Sequence, residues 1–431
     1  MSIRLPSTPT AFRIPWLTRE DLAAICLSIL VLGGYIRSLV ETLQIDFEPT
    51  YVAAPVLVLC LVRPWVGIPR TVWVCISLLF GLTFFLALGL LWSPAFDMAG
   101  KPSQQRVVEA LGYPVVKWLE WAIYIFLPFT GAALFASVGQ TALNRFRQIY
   151  FVAGVTIALL VVFTSPTRET LGVEETVDLV YLTSDTITLG IVGATVAYLG
   201  MRLAFEGLNP VKVLLGMVAA LSGIVSVLTI GSVQAAFGVG VAILFALTEL
   251  AVRSSRFSVP AALSVVFLLL AFIYYGGEMF AYVLDSWAAE RFYAKLDVGF
   301  LSLEERLGPR FRMAYDQWLN YPLFGGGLGS YLDFNSEPLG EHPHNLLMEI
   351  LAEAGLAGAV CFIALMWRTF VLYLRRWSIA KWDVVAFLSF SLVLGLVSAA
   401  VSGSIGEHRL LFTVWGGLIG SMCRLSNDEA N

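Results

Sequence analysis

Apolar stretches long enough to cross a lipid bilayer recur from one end of the chain to the other. Each is about 16–25 residues long, and a bilayer core of about 30 Å takes about 20 residues of α-helix. An open β-sheet would leave the backbone groups at its edges without hydrogen bonds in lipid. Only 13% of the 431 residues are charged, about half the share in soluble proteins. The chain is therefore predicted to be an all-α, polytopic membrane protein.

The apolar runs predict about twelve membrane-spanning helices. They cover residues 22–38, 47–62, 71–93, 112–137, 149–165, 179–201, 211–230, 233–252, 257–276, 344–367, 383–402 and 410–424. Nine spans within residues 22–276 are then separated from three within residues 344–424 by one large hydrophilic loop, residues 277–343. Residues 1–21 and 425–431 form the terminal segments.

Lysine and arginine in the short connections indicate which side of the membrane each connection faces. With the N-terminus in the cytoplasm, one set of connections collects nearly all of them: Arg63, Arg70, Arg145, Arg147, Arg202, Lys212, Arg253, Arg256, Arg368, Arg375, Arg376, Lys381 and Arg424. The opposite connections are mainly acidic, although Lys101 and Arg106 also fall there. We therefore predict that both termini are cytoplasmic and that residues 277–343 lie outside.

The large outer loop has its own pattern. Residues 299–320 combine helical periodicity with aromatic and charged residues, which predicts an amphipathic helix on the outer membrane surface. The stretch PLFGGGLGSY follows with four glycines in five residues, and it should end the helix.

Two functional classes find no support in the sequence. No basic cluster with interleaved aromatics suggests nucleic-acid binding. The cysteines lie in or at the end of apolar runs and form no CxxC pair, so they are predicted to be small buried side chains: Cys26, Cys60, Cys75, Cys361 and Cys423.

All three histidines fall on the predicted outer side. His342 and His344 precede span ten, and His408 lies in the connection between spans eleven and twelve. Imidazole is the side chain best suited to exchange a proton near neutral pH. Each could equally be an ordinary polar residue at the membrane boundary, but their common side favours a site there.

Span ten also carries two glutamates. Glu349 and Glu353 are four residues apart and therefore share one helix face. A carboxylate inside a span costs about 2.5–3.5 kcal/mol at the centre, so it needs a partner or a cavity. The pair either lines a site or holds helices together. Other charged residues within predicted spans are Lys117, Glu120, Asp185 and Glu249, and Asp185 should lie in the outer half of span six.

Arginines accumulate in the outer loop, before the glycine-rich stretch: Arg291, Arg306, Arg310 and Arg312. A guanidinium binds phosphate through two parallel hydrogen bonds and stays charged. The cluster could hold a lipid diphosphate, or it could attract an amphipathic helix to anionic headgroups.

The stretch HNLLMEILAEAGLAG resembles the signature of the O-antigen ligase and polymerase superfamily. The matching positions are His344, Asn345, Leu347, Glu349, Glu353, Gly355 and Gly358. NYPLFGGGLGSY resembles the glycine-rich stretch of that family, and ERF at 290–292 and PRFRMAYDQW at 309–318 resemble its arginine-bearing loop segments. The resemblance covers residues 290–358.

This resemblance implies a multispanning glycosyltransferase of the C type in the bacterial inner membrane, with its site facing the periplasm. Such enzymes transfer a glycan from an undecaprenyl-diphosphate-type carrier to a sugar hydroxyl, with inversion and without a metal or other cofactor. The acceptor is lipid A core for a ligase and a carrier-linked glycan for a polymerase. His344 would act as base with Glu349 orienting it, and Arg291, Arg310 and Arg312 would bind diphosphate. Supporting residues would be Asn345, Glu353, His408 and Asp185.

One position departs from the family pattern. Many members carry Ser-Arg at an outer turn ahead of the large loop, whereas this chain has Val233 and Gln234 in GSVQAAFG. Arg168, in another predicted outer connection, is a candidate to replace the missing arginine.

Two other functions remain open on the residues alone. A chain with twelve spans and both ends inside also fits a transporter of lipid-linked sugars, although no related halves are visible. Asp46 and Glu48 in the first outer connection could hold a divalent cation, which would indicate a metal-dependent glycosyltransferase.

Overall fold

The computed structural model of the chain is built from helices, and no β-strand occurs in the residues that it describes. Those residues are 18–42, 49–62, 67–91, 112–164, 186–206, 209–230, 238–246, 248, 301–333, 343, 345–375, 383–401 and 408–428. The prediction of an all-α protein is confirmed over this part of the chain.

The helices of the described residues are numbered in chain order. They are α1 (Arg19–Thr42), α2 (Thr50–Leu61), α3 (Arg70–Gly89), α4 (Tyr113–Val138), α5 (Thr141–Thr164), α6 (Thr186–Glu206), α7 (Pro210–Ile230), α8 (238–246), α9 (Leu301–Asn320), α10 (Ser330–Asp333), α11 (Leu346–Arg375), α12 (Asp383–Val401) and α13 (Arg409–Asp428).

A helix is present in every predicted span that the described residues reach, and span 257–276 lies outside them. Among the described residues, four helices are long and apolar enough to cross a membrane: Arg70–Gly89, Tyr113–Val138, Pro210–Val227 and Leu346–Arg375. Three more apolar helices are shorter: Thr50–Leu61, Leu189–Ala204 and Val384–Ala400. These helices fit a multispanning membrane protein, while the count of twelve spans and their sidedness stay predictions.

The outward surfaces of these helices are apolar. Large apolar side chains are exposed on α2, α3, α7 and α11, among them Leu59, Phe84, Leu214 and Trp367. Soluble monomers rarely expose apolar patches larger than a few hundred Å². A lipid environment explains exposed residues of this kind along several helices at once.

α4 changes its geometry midway. Tyr113–Trp121 is α-helical, Ala122–Phe126 forms a π-helical turn, and Leu127–Val138 is α-helical again. Pro128 has no N–H to donate, and its ring would collide with the carbonyl one turn earlier in a regular helix. A wider π turn accommodates such a residue. It separates the first part of α4, which carries Lys117, from the part that packs on α13.

Glycines bring α6 and α7 into backbone contact. A Cβ atom added to Gly200 would collide with the backbone nitrogen of Ala220, and one on Gly216 would lie 2.7 Å from the carbonyl oxygen of Gly200. Seven residues later in α7 and seven residues earlier in α6, a Cβ on Gly223 would lie 2.5 Å from the carbonyl oxygen of Gly193. The pairing runs in opposite directions, so the helices are antiparallel. We call these four glycines the glycine seam.

Other contacts give the relative directions of the helices around the site. Gly416 and Gly420 of α13 lie against Phe129 and Ala133 of α4, in the same order, so those two helices are parallel. The start of α11 lies beside the end of α12, because the Asn345 amide reaches the carbonyl of the α12 residue Ala400. The starts of α4, α11 and α13 therefore face the same end of the helix assembly.

Candidate functional site

α11 is broken at Gly355, and the glycine-rich turn that follows α9 fits into the break. Gly355 has φ 64° and ψ −163°, a backbone conformation that only glycine adopts without strain. A Cβ atom at this position would lie 2.5 Å from the carbonyl carbon and oxygen of Leu323. We call residues 321–329 and 352–357 together the glycine clasp.

The clasp replaces helical hydrogen bonds by bonds to the turn. In an unbroken helix the carbonyls of Ala352 and Glu353 would accept from the N–H groups of Leu356 and Ala357. Instead these carbonyls accept from the turn: Gly326 N to Ala352 O at 2.8 Å and Gly327 N to Glu353 O at 3.2 Å. The freed N–H groups donate back to it: Leu356 N to Pro322 O at 2.9 Å and Ala357 N to Leu323 O at 3.0 Å. No member of this set of backbone groups is left unpaired by the break.

The turn needs glycine at its own positions as well. Gly325, Gly327 and Gly329 have φ values of 72°, 91° and 74°, which side chains other than glycine rarely adopt. A Cβ on Gly325 would also lie 2.5 Å from the carbonyl oxygen of Glu353. The two family-like segments of the sequence are therefore parts of one structure.

Lys117 of α4 lies between the two glutamates of α11. Its Nζ atom is 2.7 Å from Oε1 of Glu349 and 2.6 Å from Oε1 of Glu353. The same Oε1 of Glu353 accepts from the backbone N–H of Gly329 at 3.1 Å. All three side chains are buried. This buried trio joins α4, α11 and the clasp turn at one point.

The charges of the trio decide what it can do. Two carboxylates and one ammonium have a net charge of −1 when all are ionised, and buried charges need close partners to be tolerated. Both carboxylates already contact the Lys117 ammonium. Glu349 is thus engaged in a salt bridge between helices, which is the arrangement expected of a residue that holds helices together.

Asn345 caps the start of α11. Its Oδ1 atom accepts from the backbone N–H of Met348 at 3.0 Å, and its Nδ2 donates to the carbonyl of Ala400 in α12 at 2.9 Å. A side-chain oxygen bonded to the N3 amide is the usual N-cap arrangement. The helix therefore begins at Leu346, two residues after the predicted start of span ten at residue 344.

α9 packs against the first part of α11 through one face. Ala314 of α9, Tyr331 of α10 and the α11 residues Met348 and Ala352 form a small buried cluster. Burial raises the pKa of Tyr331 to about 12, so its hydroxyl stays protonated and donates to the carbonyl of Arg310 at 3.3 Å. The predicted amphipathic helix of the outer loop is thereby fixed to the clasp.

The start of α13 contributes two more polar groups. His408 is buried, and with Arg409 and Tyr150 it lines a cavity of about 20 Å³, which is room for about one water molecule. The guanidinium carbon of Arg409 lies 3.5 Å from the centre of the Tyr124 ring, a cation–π contact. Its Nη1 atom is buried and has no hydrogen-bond acceptor among the described residues.

The structure brings only some of the predicted site residues together. Glu349, Glu353 and Asn345 lie at the start of α11, while Arg310 is half-buried and Arg312 exposed on α9. The remaining predictions fall outside the described residues: His342, His344, Arg168, Arg291, Asp185, Asp46 and Glu48.

Two residues were not assigned to the site from the sequence. Lys117 is 236 residues from Glu353 in the chain, and no local pattern links them. A usable signal was still present, because a lysine within a span needs an acidic partner and span ten has two. Arg409 directly follows His408, and a cationic side chain at a span boundary carries no specific signal.

The comparison with known families agrees with this geometry. Residues 215–363 match the family model described as O-antigen ligase. The match includes most of α7, all of α9, the glycine clasp and both glutamates of the trio. A search of curated proteins found no match to the chain. Residues 215–363, which contain the complete glycine clasp, therefore support a relationship of this part of the chain to the O-antigen ligase and polymerase superfamily.

Proposed function

We propose that this protein moves a glycan from an undecaprenyl-diphosphate-type carrier to a sugar hydroxyl at the outer leaflet of the bacterial inner membrane. The transfer inverts the anomeric carbon, requires no metal ion or other cofactor, and takes place on the periplasmic side. One observation carries the proposal: a single family match, residues 215–363, contains both halves of the glycine clasp and both trio glutamates.

His344 is the proposed base. The acceptor hydroxyl oxygen attacks the anomeric carbon, its proton passes to the imidazole, and the bond from that carbon to the diphosphate oxygen breaks on the opposite face. A positioned base contributes about 10²–10⁴ to such a rate. His344 directly precedes Asn345, whose contacts fix the start of α11 to α12. The capped helix end supports a defined position for the neighbouring base.

Glu349 and Glu353 affect His344 indirectly, because they fix the position of α11. Both carboxylates contact Lys117, and one of them also contacts the clasp turn. A direct contact between Glu349 and His344 was expected from the resemblance, but the salt bridge to Lys117 favours a positioning role. His408 and Asp185 remain candidates for the support of the same site.

Cations stabilise the departing diphosphate. Helix α9 carries two candidate cations, Arg310 and Arg312, and they lie on different sides of the helix. Residues two apart on a helix point about 200° from each other. Arg310 is half-buried and its backbone carbonyl accepts from the Tyr331 hydroxyl, whereas Arg312 is exposed. Arg310 is therefore the stronger proposed ligand on α9, and Arg291 and Arg168 are the proposed ligands from elsewhere in the chain.

The base is tested by in vitro transfer from a purified diphosphate-linked donor in the presence of a chelator. His344→Ala should abolish turnover while the protein still inserts, and His344→Gln should retain part of it if positioning contributes. His342→Ala should be milder, because His342 lies further from the cap. Normal turnover in His344→Ala would refute the assigned role. Loss of wild-type turnover on chelation would favour the metal-dependent alternative through Asp46 and Glu48.

The arginines are tested with the same assay. Arg310→Ala should reduce turnover more than Arg312→Ala, and Arg310→Lys should restore only part of it, because an ammonium lacks the paired donors of a guanidinium. Arg375→Ala, at the exposed far end of α11, is the matched control and should behave as wild type. If all of these variants, and also Arg291→Ala and Arg168→Ala, keep wild-type turnover, the arginines do not bind diphosphate. Attraction to anionic lipid headgroups would then be their only remaining role.

The acceptor is decided by deletion of the gene and gel analysis of surface glycans. Loss of all capped lipopolysaccharide, with carrier-linked polymer retained, indicates a ligase. Capping with single units, or loss of a secreted polymer, indicates a polymerase. Accumulation of lipid-linked glycan on the cytoplasmic side would instead favour the transporter alternative.

A further inference from the structure

The side chains of α9 divide into three sectors around the helix. Ala314 and Gln317 are buried against α10 and α11. Phe311, Tyr315 and Leu319 follow one another at intervals of four residues, and they are 45%, 43% and 52% exposed. At 100° per residue they form one stripe beside the buried sector.

The third sector is polar. Arg312 and Asp316 are both exposed and follow the apolar stripe around the helix on the side away from the protein contact. An ordinary surface helix has one face toward protein and one toward water. α9 has an additional apolar face between these two, which the contacts of the described residues do not cover.

The apolar stripe continues into the clasp turn. The indole N–H of Trp318 donates to the carbonyl of Pro322 at 3.2 Å, and the Trp318 ring lies 5.6 Å from that of Tyr315. In the turn itself, Leu323 is 62% exposed and Phe324 is 46% exposed. The stripe and the turn therefore form one exposed apolar surface.

This surface also continues onto a helix that can span the membrane. The Phe324 ring lies 6.2 Å from that of Phe85 on α3. α3 is long and apolar enough to cross a bilayer, and its neighbouring Phe80 and Phe84 are exposed. An apolar surface that runs on from a spanning helix has lipid as its natural neighbour.

We propose that Phe311, Tyr315, Leu319, Leu323 and Phe324 form a membrane-docking surface that inserts into the boundary between lipid headgroups and acyl chains. α9 then lies along the membrane surface with its buried sector on protein, its apolar stripe in lipid, and Arg312 and Asp316 in water. Aromatic residues with a polar atom, such as Tyr315 and Trp318, are enriched at this depth. The inference goes beyond the proposed function and holds whatever group the protein transfers.

The test is site-directed spin labelling of the full chain in bilayers of phosphatidylethanolamine and phosphatidylglycerol. Cysteines are introduced singly at positions 311, 315 and 319, and at 312 and 316 as matched controls on the same helix, after replacement of the native cysteines. Collisions with oxygen, which concentrates in acyl chains, are compared with collisions with a water-soluble nickel complex. The oxygen-to-nickel ratio should be several-fold higher at the three stripe positions than at the two controls.

Two results would overturn the proposal. Equal access of the nickel complex to all five positions would place the stripe in water. Low access of both probes to the stripe would show that protein covers it, whether another segment of this chain or another molecule. If the cysteine-free protein fails to insert, the same positions are labelled in the native background with a water-soluble maleimide, because four of the five native cysteines are buried and Cys361 is partly buried. Positions 312 and 316 should then react much faster than 315 and 319.

Discussion

Glycines place backbones in contact at two regions of this protein, and they do so for different physical reasons. In the glycine seam, Gly193 and Gly200 meet Gly216 and Gly223 within regular helices, and each is needed because a side chain would not fit. In the glycine clasp, Gly325, Gly327, Gly329 and Gly355 have positive φ values, and the clasp turn exchanges backbone hydrogen bonds with α11. The seam depends on volume, whereas the clasp depends on conformation and on polar pairing.

The two regions should therefore fail differently. A residue that is too large in the seam pushes two apolar helices apart, which lowers stability across that interface. A change in the clasp disturbs the start of α11, where Asn345 and the buried trio lie. We expect seam variants to lose folded protein and clasp variants to lose transfer activity as well.

The largest effect is expected for Lys117→Met. The change leaves two buried carboxylates without their cation, and removal of one partner from a buried ion pair costs about 3–5 kcal/mol. Thermal unfolding in detergent should show a strongly destabilised protein, and transfer should fall with it. Lys117→Arg keeps the charge and should recover part of both quantities.

A neutral triple variant separates charge from shape in the same experiment. Lys117→Met combined with Glu349→Gln and Glu353→Gln removes every charge of the trio, so it should be more stable than Lys117→Met alone. A triple variant no more stable than the single one would mean that buried charge is not the cause of the destabilisation.

The next effect is that of Gly355→Ala in the clasp. Alanine in this backbone conformation is strained by about 1–3 kcal/mol, and its Cβ would also press on the carbonyl of Leu323. We expect lower thermal stability together with a loss of transfer per folded molecule. The matched control is Gly240→Ala in α8, where an added Cβ has nothing within 4 Å. Normal specific activity in Gly355→Ala would separate the clasp from the site.

Gly200→Ala tests the seam. Its Cβ would meet the backbone of Ala220 and Gly216, and overpacking of this kind costs about 1–3 kcal/mol. The melting temperature should fall, while transfer per folded molecule stays at the wild-type value, because the described neighbours of the four seam glycines lie within α6 and α7. A parallel fall of specific activity would show that the two regions are coupled and would end the distinction drawn above.

The sequence was sufficient for those features that depend on local pattern. Apolar runs placed the helices, the spacing of Glu349 and Glu353 placed both on one face, and the four glycines ended α9. The break at Gly355 was not predicted, because EAGLAG reads as a continuous helix until the partner turn is present. Gly358 lies against Leu82 of α3 and permits close helix packing, whereas Gly355 serves mainly the hydrogen-bond exchange.

The trio shows a second limit. Its two glutamates were visible on one helix, but the choice of Lys117 as their partner follows from the packing of α4 on α11, which no sequence spacing encodes. The pattern of residues 299–320 predicted an amphipathic helix on the outer membrane surface, but it did not show which side chains face lipid. The sectors of α9 could be assigned only once the face that packs on protein was known, because the buried Ala314 and the exposed Tyr315 are neighbours in the chain.

The smallest predicted effect concerns Asn345, which has two separable hydrogen bonds. Its Oδ1 caps α11 through Met348, and its Nδ2 ties that end to Ala400 of α12. Asn345→Ala removes both, and loss of the cap alone costs about 1 kcal/mol. Asn345→Asp keeps an equivalent cap oxygen and loses only the donor to Ala400.

Thermal unfolding should therefore show Asn345→Asp close to wild type and Asn345→Ala lower, while transfer should fall in both if the tie to α12 positions His344. The two Asn345 variants thus distinguish the stability of α11 from its placement against α12. The seam and clasp variants make the same distinction for larger regions of the protein. If Asn345→Asp transfers normally while Asn345→Ala is impaired, the cap alone matters, and α11 does not need α12 to hold the proposed base in place.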